Sequence, residues 1–299
     1  MKDHTKGLLI TALGVLFIVP DSLFVRLIET DAITIAFWRN LVSGAVALAG
    51  LVALRGWSTI ATIRGTGRYG VIYSVCVAAT GILFVLAVSL TSVANVVFII
   101  AAMPVFAALF SWIALKEPVT RRMILTMATV GMGLAVIAYG SGEHERASLE
   151  GDLVAIGVAC LFAIALTAAR KGRAVSMVPA VPLAFLAAAA LLAPFADPWS
   201  VPAAQWWMVA VHGGVVVVFS MSLLAIGPRY ITSAEVALLI LLESVLAPLL
   251  VWAVLGEYPG RWALAGGAIV IGALLFSNLW VLMRGRRRSR VKAPAPTSI

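Results

Sequence analysis

The sequence predicts an all-α integral membrane protein: ten transmembrane helices built as two inverted five-helix repeats, with both ends in the cytoplasm. Three observations carry this. The composition is strongly apolar, with a mean hydropathy of +1.06; the apolar sequence divides into runs of membrane-crossing length; and a block beginning at Thr91 recurs at Ile231, an offset of 140 residues.

Of 299 residues, 62% are apolar and 12% are charged, about half the charge content of an ordinary soluble domain. A span needs about 20 apolar residues to cross roughly 30 Å of hydrocarbon. Runs of that length fall near 7–28, 32–54, 69–90, 93–115, 122–140, 151–170, 177–196, 206–227, 232–255 and 262–283. These runs are too long and uniformly apolar for barrel strands, so their backbone groups must be satisfied within helices. Together they leave no room for a soluble domain.

Lys and Arg set the orientation, because they are retained on the cytoplasmic side. With the N-terminus inside, 18 of the 22 Lys and Arg fall inside; Arg26, Arg146 and Arg261 fall outside, and Arg39 lies within a span. The net charge of +9 is then a topology signal, and the basic tail at 284–299 is expected on anionic lipid headgroups. Nucleic acid is not an expected partner. The first run lacks a small-residue cleavage site after Pro20 and reads as span 1 rather than a signal peptide. Cys76 and Cys160 both lie in apolar spans, so neither a disulfide nor a metal site is expected, and no cofactor is.

The repeat is the most informative feature. Residues 91–122, TSVANVVFIIAAMPVFAALFSWIALKEPVTRR, align with 231–262, ITSAEVALLILLESVLAPLLVWAVLGEYPGRW, pairing Trp112 with Trp252 and Glu117 with Glu257. Each block begins at a hydroxyl-bearing turn, ends at Leu-x-Glu and leads into a Gly-rich span. A half of five spans places the second half in the opposite orientation, with units at 1–146 and 147–283. Inverted repeats are how many secondary transporters build two conformations around a midplane site.

The five-plus-five pattern, the turns Thr91-Ser92 and Thr232-Ser233, and the Leu-x-Glu endings at Glu117 and Glu257 resemble the EamA-type transporters of the drug/metabolite transporter superfamily. The resemblance covers essentially the whole chain. It implies a ten-helix bundle around a central cavity lined mainly by helices 1, 3, 4, 6, 8 and 9, with helices 5 and 10 peripheral. Exporters of amino acids and metabolites are the nearest in character. One departure concerns span 9: family members often show Glu-Pro there, whereas Glu243 precedes Ser244 and the proline waits until Pro248.

A charge at the centre of a span costs about 2.5–3.5 kcal/mol on insertion scales, so each one needs a partner or a wet cavity. Asp21 and Arg39 each lie about 6 Å outward of the midplane by helical rise and are placed to pair. A structural ion pair is one reading; an Arg39 that attracts a substrate carboxylate or gates the outward mouth is the other. Glu243 falls at the middle of span 9, where a proton carrier and a hydrogen-bonded packing carboxyl are both consistent. His212, on the outward half of span 8, reads as a packing histidine, a cavity donor or a pH-sensitive gate.

Most tryptophans lie near span ends as interfacial belts, while Trp38 adjoins Arg39. Phe17, Tyr73, Phe98 and Phe162 lie deeper, on helices the resemblance assigns to the cavity; aromatic walls suit an amphipathic ligand, and core packing is the alternative. Pro20, Pro104 and Pro248 interrupt spans 1, 4 and 9 as hinges or static kinks. Gly131, Gly133, Gly266, Gly267 and Gly272 in spans 5 and 10 allow close helix approach, within or between monomers.

An enzyme is disfavoured: the chain has no His-Glu-x-x-His, paired intramembrane aspartates, Gly-x-Ser-x-Gly elbow or P-loop. A channel lacks its ring of charges or filter-like glycine run. The expected activity, from the repeat and the resemblance together, is alternating-access export of amino acids, including aromatic ones, across a bacterial inner membrane. A proton-driven multidrug or quaternary-ammonium exporter is the alternative. Membrane lipids and a small-molecule substrate are the expected partners; the sequence leaves the oligomeric state open.

Overall fold

Residues 3–58, 67–116, 120–141, 146–172, 177–226, 230–231 and 233–291 are described by a computed structural model, and its regular elements are all helical. Glu117, Thr232, His144 and the cations Lys2, Arg64, Arg173, Arg229 and Lys292 lie outside the described residues, as do the side chains of Arg170, Glu235 and residues 284–291.

Span 1 is two helices, α1 (Asp3–Ile18) and α2 (Asp21–Leu27), because Pro20 has no N–H to continue the ladder. In α3 (Ala32–Arg55) the Asp31 carboxylate caps the start, accepting from the N–H groups of Ile33 and Thr34 at 2.9 Å each. Span 3 is α4 (Gly67–Leu90). The hydroxyl turn before span 4 is a helix cap: Ser92 accepts from the Asn95 N–H at 3.2 Å and opens α5 (Val93–Ala101). Span 4 then restarts at Ala102 as α6 (Met103–Leu115), with Pro104 in its first turn, where a missing N–H is tolerated. Next come α7 (Arg121–Gly140), capped by Thr120, and α8 (Leu149–Lys171), capped by Ser148.

The second half departs from the expected spans at three places. Span 7 shrinks to α9 (Ala180–Leu192): Ala193 still has helical dihedrals and donates to the Ala189 carbonyl, and Pro194, which has no N–H, cannot carry the ladder further. Span 8 is α10 (Trp206–Val211), a π-helical segment at His212–Val217 and α11 (Val218–Ile226). Span 9, α12 (Ser233–Leu255), runs unbroken through Pro248, whereas the prolines of spans 1 and 4 sit at breaks. Span 10, α13 (Arg261–Val291), continues into the basic tail.

Among the described residues, eight helices are long and apolar enough to cross a membrane. Two shorter apolar stretches, Ala180–Leu192 and Leu239–Leu255, stand where spans 7 and 9 are predicted. Large apolar side chains such as Leu13, Leu125, Met132 and Phe276 face outward, as a lipid-facing surface requires. The chain is a multi-pass membrane protein.

Most of the helix pairings survive exchange of the two halves; span 4 on span 10 and span 3 on spans 1 and 2 have no counterpart of similar extent among the described residues. Span 1 packs on spans 8 and 9 as span 6 packs on spans 3 and 4; span 2 meets span 8 as span 7 meets span 3; and 2–7, 4–9 and 5–10 are paired directly. On α8, Ala155, Ala159 and Ala163 recur every four residues and are fully buried, forming a smooth stripe against its neighbours. Helices α7 and α13 cross within the chain at Gly133 and Gly266, where a Cβ on either would meet the other's carbonyl oxygen at 2.9 and 2.6 Å. A Cβ on Gly267 would strike the Phe98 ring at 2.6 Å, whereas Gly131 and Gly272 have nothing within 4 Å.

Gly266→Val is expected to cost about 1–3 kcal/mol by overpacking this crossing, read as a lower melting temperature in detergent. Gly272→Ala, in open space, is expected to leave it unchanged or raise it.

Candidate functional site

Polar groups gather where helices are broken. Asp21 is the first residue of α2, directly after the Pro20 interruption, and His212 opens the π segment of span 8. Arg39 comes from α3, and all three are buried, at 3%, 1% and 5% exposure respectively. The guanidinium grips Asp21 in a bidentate fork: Arg39 Nε donates to Oδ1 at 3.0 Å and an NH2 group donates to Oδ2 at 2.6 Å. His212 Nε2 lies 2.6 Å from Asp21 Oδ1. Phe24 stacks on the imidazole at 5.5 Å between centroids, and the guanidinium lies 5.3 Å from the Phe84 ring centre.

The local sequence accounts for this placement. A π turn advances by i→i+5 and re-aims the side chains that follow it. Gly213 and Gly214 then let span 8 approach α3, since a Cβ on Gly213 would meet Val42 at 2.7 Å. Ser43 donates to the Gly213 carbonyl at 3.0 Å. At the mouth of α3, burial works against the Asp31 carboxylate, but hydrogen bonds from Thr34 and Ile33 hold it below its usual range.

Of the other residues singled out from sequence, Glu243 is half-buried on α12, and the charge of Asp21 acts on it. Phe17 stacks on Phe219 of span 8 at 5.7 Å. Trp38 turns away from the cluster, donating from its indole N–H to the Pro198 carbonyl at 3.1 Å and packing edge-on against Trp206. Tyr73 packs on an apolar cluster with Cys76 and Phe185, Phe98 fits against Gly267, and Phe162 is half-buried on α8. Pro104 is half-buried and Pro248 is buried.

A second polar cluster escaped the sequence reading, which treated Arg26 and Arg146 as loop cations and Glu257 as a mark of the repeat. The Glu257 side chain is 2% exposed. It accepts from the Val93 N–H at 2.9 Å, stands 3.2 Å from Arg26 Nε in a charge contact, and lies 3.4 Å from Arg146, which is largely exposed. Arg26 also donates to the Thr91 carbonyl at 2.8 Å. Beside it the buried Asp152 accepts from Thr91 and Asn95 at 2.9 Å each and from the Ser141 hydroxyl. One signal pointed here: Asn95 and Asp152 are polar residues just inside the starts of spans 4 and 6, where each could reach a neighbouring helix end.

Arg39→Met removes the counter-charge from a buried carboxylate and is expected to cost about 3–5 kcal/mol. Removing both charges, Asp21→Asn with Arg39→Met, should cost less than that single change. Thermal unfolding of the purified variants in detergent measures both.

Comparison with known proteins agrees with this architecture. One solved structure, described only as the crystal structure of a protein, superposes with a TM-score of 0.63 at 20% identity, covering 93% of this chain and 98% of its own. At that identity the likeness speaks for the fold alone. No relative is found among curated proteins. The model of the EamA-like transporter family matches twice, over residues 5–139 and 149–279, so the chain belongs to the EamA-like transporter family.

Proposed function

We propose that the protein is a secondary transporter that moves amino acids, including aromatic ones, or related small metabolites across the bacterial inner membrane by alternating access. The observation that carries this reading is the exchange symmetry of the packing, in which spans 1, 8 and 9 repeat the arrangement of spans 6, 3 and 4. Two halves with equivalent packing supply two nearly equivalent conformations, one open to each face.

Details at the ends support an inverted arrangement of units 1–146 and 147–283 across ten spans, with the 284–299 tail and both termini in the cytoplasm. Gly7, early in span 1, packs against Tyr230 and Ile231, and Gly151, early in span 6, packs against Leu90 and Thr91; Ile231 and Thr91 are the first residues of the two repeated blocks. Lys171, at the end of span 6, donates to the Ala114 carbonyl at 2.9 Å, next to the Leu-x-Glu of the first half. Arg26, at the end of span 1, meets the Leu-x-Glu of the second. On this reading the Glu257 cluster closes the outward mouth. Pro20, Pro104 and Pro248 are the hinge positions, and Phe17, Tyr73, Phe98, Phe162 and Trp38 shape the cavity with the Asp21, Arg39, His212 and Glu243 polar groups.

Glu243 favours a second reading. It is a half-buried carboxyl in the middle of a span, and an intramembrane carboxyl suits an organic cation exchanged for protons.

The deciding experiment is uptake of labelled phenylalanine, tryptophan and methionine into proteoliposomes. Saturable uptake and counterflow, retained in Glu243→Gln, are expected for the amino-acid carrier. No uptake of any of the three, together with Glu243-dependent movement of a quaternary ammonium ion, would overturn it in favour of the cation exporter.

A further inference from the structure

The Asp21–His212 contact joins two helices at the places where both are irregular. Span 1 is interrupted between Ile18 and Asp21, and span 8 changes from α to π geometry at His212. Irregular backbone at membrane depth is tolerated where it is buried in protein or lines a cavity, and in carriers such breaks are where coupling ions are held. A rocking motion that separates span 1 from span 8 must break this contact.

The hydrogen-bond pattern fixes the state of each group. Asp21 accepts two bonds from the Arg39 guanidinium, which has no acceptor atoms, so Asp21 is an ionised acceptor. His212 Nε2, 2.6 Å from Asp21 Oδ1, therefore carries the hydrogen, and Nδ1 is the ring nitrogen left to take up a proton. The elements packed against the π segment are α1, α2, α3, α10 and α11. The charged groups facing His212 from them are Asp21 on α2 and Arg39 on α3; Phe24 stacks on its ring. Protonation of the ring places a positive charge beside the Asp21 carboxylate, which favours it, and near the Arg39 guanidinium, which opposes it.

We propose that His212, held by Asp21, is the binding site for a coupling proton: Nδ1 takes a proton from water on one side of the membrane and releases it on the other as spans 1 and 8 separate. Asp21 stays ionised throughout, and no other bond is made or broken. The proposal rests on the carrier reading and adds the coupling ion and its residue; Arg39 is a positioning residue that keeps Asp21 ionised.

The test uses the full-length protein with His4→Gln and His144→Gln, which leaves His212 alone of the three histidines. Isotope-labelled histidine then gives a single imidazole whose nitrogen shifts report tautomer and charge. An Nε2–H tautomer at alkaline pH that gains a proton reversibly at Nδ1 as the pH is lowered is the expected result. An Nδ1–H tautomer, or an imidazole that does not titrate, overturns the proposal without needing a substitution at the site.

In proteoliposomes, phenylalanine uptake is expected to be accompanied by proton movement across the membrane, read by an internal pH dye, and His212→Gln is expected to lower the number of protons moved per phenylalanine toward zero. Uptake without proton movement in the unsubstituted protein, or unchanged proton movement in His212→Gln, also overturns it. Should no phenylalanine move at all, the amino-acid reading falls, and the imidazole titration still decides the proton site.

Discussion

A carboxylate inside a membrane must find its counter-charge within the protein, because hydrocarbon supplies neither water nor ions. Asp21 meets that requirement through Arg39, and much of the geometry of the second half of span 1, of span 2 and of span 8 follows from it. The bidentate fork fixes α2 against α3 in both distance and rotation. The bond from His212 then draws span 8 onto the same carboxylate. The π turn and the two glycines after it are what allow the backbone of span 8 to come close enough.

Away from this cluster the helices are held by shape. Lipid tails are as apolar as leucine, so helix association in a membrane depends on close packing and on hydrogen bonds between helices. The alanine stripe of α8 and the crossing of α7 and α13 at Gly133 and Gly266 are solutions of the first kind. The Glu257 and Asp152 clusters are of the second, joining span 1, the turn before span 4, the end of span 5, the start of span 6 and the loop before span 10. The two kinds respond differently to water. A glycine crossing has no polar partner that water could replace, whereas bonds around a carboxylate exchange readily for hydration. For a carrier, that difference separates a constant scaffold, spans 5 and 10, from a mouth able to open.

The two polar clusters also differ from each other. Asp21 has its partners on two other helices, α3 and span 8, and is almost completely enclosed. Glu257 sits in a loop, and one of its partners, Arg146, is exposed and therefore weakly held. The first holds its charge enclosed on every side, whereas the second shares its charge with a side chain open to solvent.

The sequence by itself determined the membrane class, the placement of the helices along the chain, the duplication and the pairing of Asp21 with Arg39, because hydropathy, charge and helical rise are properties of the local chain. Proline spacing located the breaks in spans 1 and 4, and Ser92 was legible as part of a turn before it was seen as a cap. Only the tertiary structure decided that His212 joins Asp21, that Trp38 faces a loop instead of the cluster, and that Glu257 gathers Val93, Arg26 and Arg146 from far along the chain. It also decided that Gly133 and Gly266 meet each other while Gly131 and Gly272 meet nothing. Each of these depends on how one helix is rotated against another. In a helix apolar on nearly every side, no amphipathic face records that rotation, so it is set by the few polar and small residues that find partners when the bundle assembles.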